Sequence, residues 1–176
     1  MLACWREPAS STARVTAVAE PADLLELLRR FAHEGVQYVL IGGHAVRING
    51  FVRSTEDIDI LLPSSVENGR KVIRALSFLP SSRELDPEWF AVDPLAPENI
   101  RIQDDLLVDL MFAANGENFE SLAPHIRNIL IEETPVQVLD IEGLIKTKTD
   151  YREKDRIDKS VLQRLLTQLD KKPSES

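Results

Sequence analysis

The stretch that most limits how this chain can fold runs from Val36 to Leu62, V-Q-Y-V-L-I-G-G-H-A-V-R-I-N-G-F-V-R-S-T-E-D-I-D-I-L-L. Two apolar runs, Val36 to Ile41 and Asp57 to Leu62, are too short for buried helices and rich in β-branched residues. Both read as strands, the first of them central. The first run stops at Gly42-Gly43, and a helix-compatible piece follows from His44 to about Asn49. The second run opens with Asp57 and Asp59 one residue apart. Side chains at i and i+2 of a strand share a face, so these carboxylates project together while Ile58 and Ile60 turn into a core. Two carboxylates side by side at the start of a buried strand repel each other and lose hydration, and they need a compensating cation. Mg2+ is the natural candidate, since it takes hard oxygen ligands and shares one or two carboxylates with substrate phosphates.

Composition narrows the class. With 176 residues, 43% of them hydrophobic, the chain can bury one good core and little more. A net charge of -8 argues against a ligand held chiefly by many nucleic-acid phosphates. One cysteine, Cys4, excludes an internal disulfide and a cysteine-based zinc site, and it suits a reducing cytosol. No apolar stretch is long enough to read as a membrane span, and the N-terminus lacks a compact apolar signal region. The expectation is a soluble, cytoplasmic α/β domain.

In chain order, residues 1–20 read as a poorly ordered lead-in, 21–170 as a single domain and 171–176 as a polar tail. Pro21 to Glu34 is expected to be a helix, with an apolar stripe of Leu24, Leu25, Leu27, Leu28 and Phe31 and a stop at Gly35. Pro63-Ser64-Ser65 ends the aspartate strand and caps a helix over about Val66 to Phe78. Leu79 to Asn99, punctuated by Pro80, Pro87, Pro94 and Pro97, reads as loops around one short strand, with Trp89-Phe90 in an extended piece. Ile100 to Ile102 and Leu106 to Phe112 read as a hairpin turning at Gln103-Asp104-Asp105. Phe119 to Leu130 is expected to be helical and Val136 to Leu139 a strand. Asp140 caps a helix containing Ile141, Leu144 and Ile145. The last helix, Glu153 to Leu169, carries Ile157, Val161, Leu162, Leu165, Leu166 and Leu169 at helical spacing.

Asp109 interrupts an otherwise apolar strand, L-L-V-D-L-M-F, which is expensive unless something pairs with it. Set beside Asp57 and Asp59, it would complete a carboxylate set able to hold two divalent ions and help to accept a proton. The plainer alternative is an ion pair with Arg101 across the hairpin. Gly42-Gly43 would let backbone N–H groups approach an anion. Arg53 would neutralise phosphate charge, or else pair with Glu56 or Asp57. Lys148, in the cluster Lys146, Lys148, Arg152 and Lys154, is the basic residue chosen to reach a triphosphate; the alternative is a solvated face. Trp89 and Phe90 either stack on a base or belong to the core. His33, His44 and His125 lack zinc-site spacing.

Taken together, Gly42-Gly43, Arg53-x-Thr55, Asp57-Ile58-Asp59 and the strand-borne Asp109 resemble the nucleotidyltransferase superfamily built on the polymerase-beta-type fold. The segment L-I-K-T-K-x3-R-E-K-D-R-x-D is similar to one in bacterial nucleotidyltransferase-like proteins of the abortive-infection and toxin–antitoxin type. The likeness spans about residues 36 to 165, and one position departs: His44 follows the glycines where many members place a serine. The resemblance implies a mixed α/β (α+β) sheet flanked by helices, with a C-terminal helical segment. It also implies transfer of a nucleoside monophosphate from a triphosphate such as ATP to a hydroxyl acceptor, with release of pyrophosphate. In that chemistry Asp57, Asp59 and Asp109 would hold Mg2+, and Gly42, Gly43, Arg53 and Lys148 would hold the nucleotide. The acceptor is a small molecule, a protein or tRNA, and the toxin–antitoxin likeness implies a partner protein encoded alongside. Two alternatives stand beside this reading. One is a weakly active or non-catalytic, antitoxin-like binding module, and the other an antibiotic-type enzyme whose acceptor cleft is built from Leu79 to Asn99.

Overall fold

The computed structural model describes residues 22–171. The expected lead-in over 1–20 and the tail beyond Lys171 therefore lie outside the described residues. Six strands form one mixed sheet: β1 (Val39–Ile41), β2 (Asp57–Leu61), β3 (Ile100–Gln103), β4 (Leu107–Met111), β5 (Ile126–Ile131) and β6 (Thr134–Leu139), in the order β3-β4-β2-β1-β6-β5. The β2–β4 and β1–β6 pairs are parallel, and the other three pairs are antiparallel. Strand β1 lies inside the sheet and is wholly buried, as its apolar run requires.

Helix α1 (Ala22–Glu34) buries Leu24, Leu25, Leu27, Leu28 and Phe31 and ends at Gly35 in the left-handed region. Helix α2 (Gly42–Ile48) follows β1 directly. Helix α3 (Val66–Ala75) is capped by the Ser65 hydroxyl, which accepts from the Asn68 N–H at 3.1 Å. Helix α5 (Ile141–Lys146) is capped by Asp140, which accepts from the Gly143 N–H at 2.7 Å. A single apolar cluster runs from Leu24 to Leu162 and takes in Ile58, Ile60, Val108, Leu110 and Ile102 from one face of the β3-β4-β2 half-sheet.

Three sequence expectations are corrected. The helix expected over Phe119 to Leu130 is a single α-helical turn, α4 (Phe119–Leu122), then a 3-10 turn (Ala123–His125) and strand β5. Pro124 prevents the helix from continuing, and I-R-N-I-L-I pairs with β6 along its whole length. The hairpin turn between them uses Glu132 and Glu133, both at positive φ (47° and 64°), and neither residue type signals such a turn. The short strand expected between Leu79 and Asn99 is absent; two proline-led 3-10 helices, Pro80–Glu84 and Pro87–Phe90, take its place. Trp89-Phe90 is thus not extended: Phe90 is buried edge-to-face against Phe112, while Trp89 stays 53% exposed. Helix α6 (Glu153–Asp170) forms where expected; it buries Asp158 and Leu162, packs Leu165 and Leu166 partly buried against the core, and leaves Ile157 and Leu169 largely exposed.

One polar side chain holds the layers in register. Asn68 on α3 is buried, and its amide accepts from the Gln37 N–H and donates to the Gln37 carbonyl, each at 2.8 Å. It thereby satisfies both backbone groups of a residue just ahead of β1. Replacing Asn68 by Ala strands both, and urea unfolding is expected to show a loss of about 2 kcal/mol or more.

Candidate active site

The aspartates meet as their spacing implies. In the parallel β2–β4 pair, Asp59 is the register partner of Asp109, a strand spacing of about 4.8 Å apart, and Asp57 lies one pleat back on the same face. Arg101 on β3 is the register partner of Asp109 on the other side. These four side chains occupy the face of the half-sheet opposite Ile58, Ile60, Val108 and Leu110, so a core on one side supports an open polar shelf on the other.

Gly42 closes the shelf at the β1 end. Ile41 pairs with Asp59, and the next residue turns away at φ 67° to start α2. A Cβ at Gly42 would sit 2.7 Å from Asp59 Cγ, so no other residue type leaves room for that carboxylate. Gly43 abuts Thr55 in the same way, with 2.6 Å to the Thr55 Cβ. The glycine pair thus fits the turn against the two residues that frame the aspartate strand, whatever else it binds.

The electrostatics are those of a crowded anion. Burial pushes the Asp59 carboxyl up to about 6; Asp109 and Asp57 push in the same direction, while Lys148 and His44 oppose them. Asp109 is likewise raised, by burial and by Asp57 against the pull of Arg101. Arg101 Nη2 lies 3.6 Å from Asp57 Oδ2 and its Nε 3.5 Å from Asp109 Oδ1. The ion pair expected as the plainer fate of Asp109 therefore forms, and it extends to Asp57.

The donor set fits a hard divalent cation. Three carboxylates carry more negative charge than Arg101 offsets, and burial, with Asp109 and Asp57 alongside, makes Asp59 resist ionisation. Among the described residues no three such ligands stand close enough to cage an ion alone. Mg2+ does not require a cage, because it completes its shell with water and phosphate oxygens.

Arg53 and Lys148 are held elsewhere. Both donate to Oδ2 of the buried Asp158 on α6, Lys148 Nζ at 2.8 Å, and Lys148 is itself only 7% exposed. Arg53 thus pairs with neither Glu56 nor Asp57, and Lys148 belongs to no solvated face. Asn115 fixes the segment by donating to the carbonyls of Lys146 and Lys148 at 2.9 and 3.0 Å. The Lys148 charge still reaches Asp59, so Lys148 backs the shelf as a field while it and Arg53 stay bound to Asp158. Asp158 had a sequence signal: it lies one turn before Leu162, an acidic residue inside the buried stripe of α6.

Beyond Arg101 lies a cleft of about 890 Å³ walled by the two 3-10 helices, the loop after them and β3. Glu84, Glu88, Asp93 and Glu98 line it, together with Trp89 and Arg101 itself. The three aspartates are outside its lining, so Arg101 is where the shelf and the cleft meet.

No protein-family model and no curated protein matches the chain. Solved structures do. The lincosamide antibiotic adenylyltransferase LnuA, solved with lincomycin bound, superposes with a TM-score of 0.52 at 18% identity over 81% of this chain and 96% of that one. The chain has the nucleotidyltransferase fold. ANT(2″)-Ia in complex with adenylyl-2″-tobramycin aligns at 15% identity and a TM-score of 0.49, over 81% of this chain and 87% of that chain. Among the described residues no helix is long and apolar enough to cross a membrane.

The raised Asp59 sets a pH dependence with a definite sign. The native state holds the Asp59 proton more tightly than the unfolded chain does, so its share of stability falls as pH rises from about 4 to about 6. Asp59→Asn removes that loss. Urea unfolding should show the variant more stable than wild type by up to roughly 3 kcal/mol at about pH 7.5, and nearly level with it at about pH 4.

Proposed function

We propose that this protein transfers a nucleoside monophosphate from a nucleoside triphosphate to a hydroxyl acceptor, with the carboxylates of Asp57, Asp59 and Asp109 holding Mg2+. The observation that carries this is the pairing of Asp59 with Asp109 across two parallel strands, on an open face beside the Gly42 turn, in a chain of this fold. Bound there, Mg2+ would offset the charge of the triphosphate and acidify the acceptor hydroxyl.

The chain's own residues supply position and charge. The acceptor oxygen forms a bond to the α-phosphorus, the bond to the bridging oxygen of the β-phosphoryl group breaks, and pyrophosphate leaves. Asp109, partly buried beside Asp59 with its side chain 22% exposed, is the group that takes the hydroxyl proton. The turn at Gly42 and Gly43 is the cradle for phosphate oxygens. Lys148, fixed by Asp158, contributes positive potential from behind, and Arg53 shares that anchor. Chemistry of this type depends on alignment and charge neutralisation more than on covalent participation by the protein.

A small amine-bearing acceptor is favoured over a polynucleotide by the cleft beside Arg101. Four carboxylates and an exposed indole suit a cationic ring system and repel a phosphate backbone. The 890 Å³ available is of the size that drug-like molecules fill. LnuA, which shares the fold, is described as an antibiotic adenylyltransferase.

The direct test incubates the protein with each α-labelled nucleoside triphosphate, Mg2+ and a panel of aminated polyols, and follows label transfer and pyrophosphate release. Asp57→Asn and Asp109→Asn are each expected to reduce turnover roughly a hundredfold or more. Turnover equal to wild type in both variants would overturn the carboxylate assignment. Transfer to RNA alone would overturn the acceptor class.

A further inference from the structure

Arg101 joins the two halves of the proposed site without belonging to the sequence pattern that marks either. Its guanidinium spans Asp57 and Asp109 at 3.6 and 3.5 Å, distances of ion pairing rather than of tight hydrogen bonds. Its side chain is 55% exposed, on a strand at the edge of the sheet, and it also lines the neighbouring cleft. Lys148, a second cation whose field reaches this shelf, is buried and committed to Asp158. One of these two positive groups is therefore built in, and the other is loosely held and has open space beside it.

We propose that Arg101 is an internal counter-ion of the carboxylate shelf, resting on Asp57 and Asp109 until a divalent cation displaces it towards the cleft. The inference rests on the reading of these aspartates as cation ligands. A guanidinium and a divalent ion compete for the same oxygens of Asp57 and Asp109, and the ion brings twice the charge in a smaller radius. The arginine relieves part of the like-charge repulsion while the shelf waits, and its long stem lets it leave without moving β3. Arg101 is thus a positioning residue, acting through Asp57 and Asp109 rather than on the reacting atoms.

The test titrates Mn2+, without nucleotide, into wild type, Arg101→Ala and Arg101→Lys, and reads free Mn2+ by electron paramagnetic resonance. Two exposed ion pairs are removed in Arg101→Ala, which should bind Mn2+ roughly three- to tenfold more tightly than wild type. Arg101→Lys, which keeps the charge and loses the fork, should fall between them. A purely structural arginine gives the opposite result, since its loss would disorder the shelf and weaken binding. Unchanged or weaker binding in Arg101→Ala overturns the proposal. Absence of Mn2+ binding in wild type and both variants overturns the ligand reading of the aspartates, and this proposal with it. If Arg101→Ala does not fold, Arg101→Gln replaces it under the same criteria.

Discussion

Two carboxylates on neighbouring parallel strands, Asp59 and Asp109, are the constraint to which the rest of this structure answers. A strand spacing of about 4.8 Å leaves like charges in mutual repulsion, and partial burial removes the water that would screen them. Nothing in the packing of a sheet demands this arrangement; an apolar pair at the same register would stabilise the fold more. The chain retains it and arranges compensation on every side. Gly42 gives up its side chain so that Asp59 fits, Arg101 lies across the outer oxygens, and Lys148 supplies a field from behind.

The compensation is layered by burial, and the layers have different functions. Lys148, Arg53 and Asp158 form a buried cluster that ties α6 to the segment leading into β2. Helix α6 also seats Leu162 in the core and packs Leu165 and Leu166 partly buried against it, so apolar contact and this ionic cluster hold it together. A buried pair of this kind is a specificity device more than a source of stability: breaking it leaves an uncompensated charge, which costs far more than forming it gains. Arg101, by contrast, is exposed and loosely held, and such a contact is cheap to break.

Much of the framework was legible along the chain. The helix at Leu24 to Phe31, the strand pair around Gly42-Gly43, the hairpin carrying Asp109 and the Asp140 cap all follow from local periodicity and turn chemistry. The stretch from Phe119 to Leu130 did not, because I-R-N-I-L-I suits a helix or a strand equally, and only its pairing with β6 decides between them. The same limit hid Asn68, an ordinary polar residue on a helix until Gln37 arrives, and it hid which cations meet Asp158, although the place of that acid in the stripe of α6 was visible.

The sequence by itself determined which carboxylates share a face, since a strand repeats every two residues and Asp57 and Asp59 are two apart. It also determined where the backbone must turn beside them, because glycine alone tolerates that conformation at close quarters. Only the tertiary structure decided that Asp109 stands next to Asp59, and that Arg53 and Lys148 both meet Asp158, 105 and 10 positions away along the chain, rather than solvent. Strand order and helix docking are set by the joint burial of many apolar side chains, and no single residue encodes that sum.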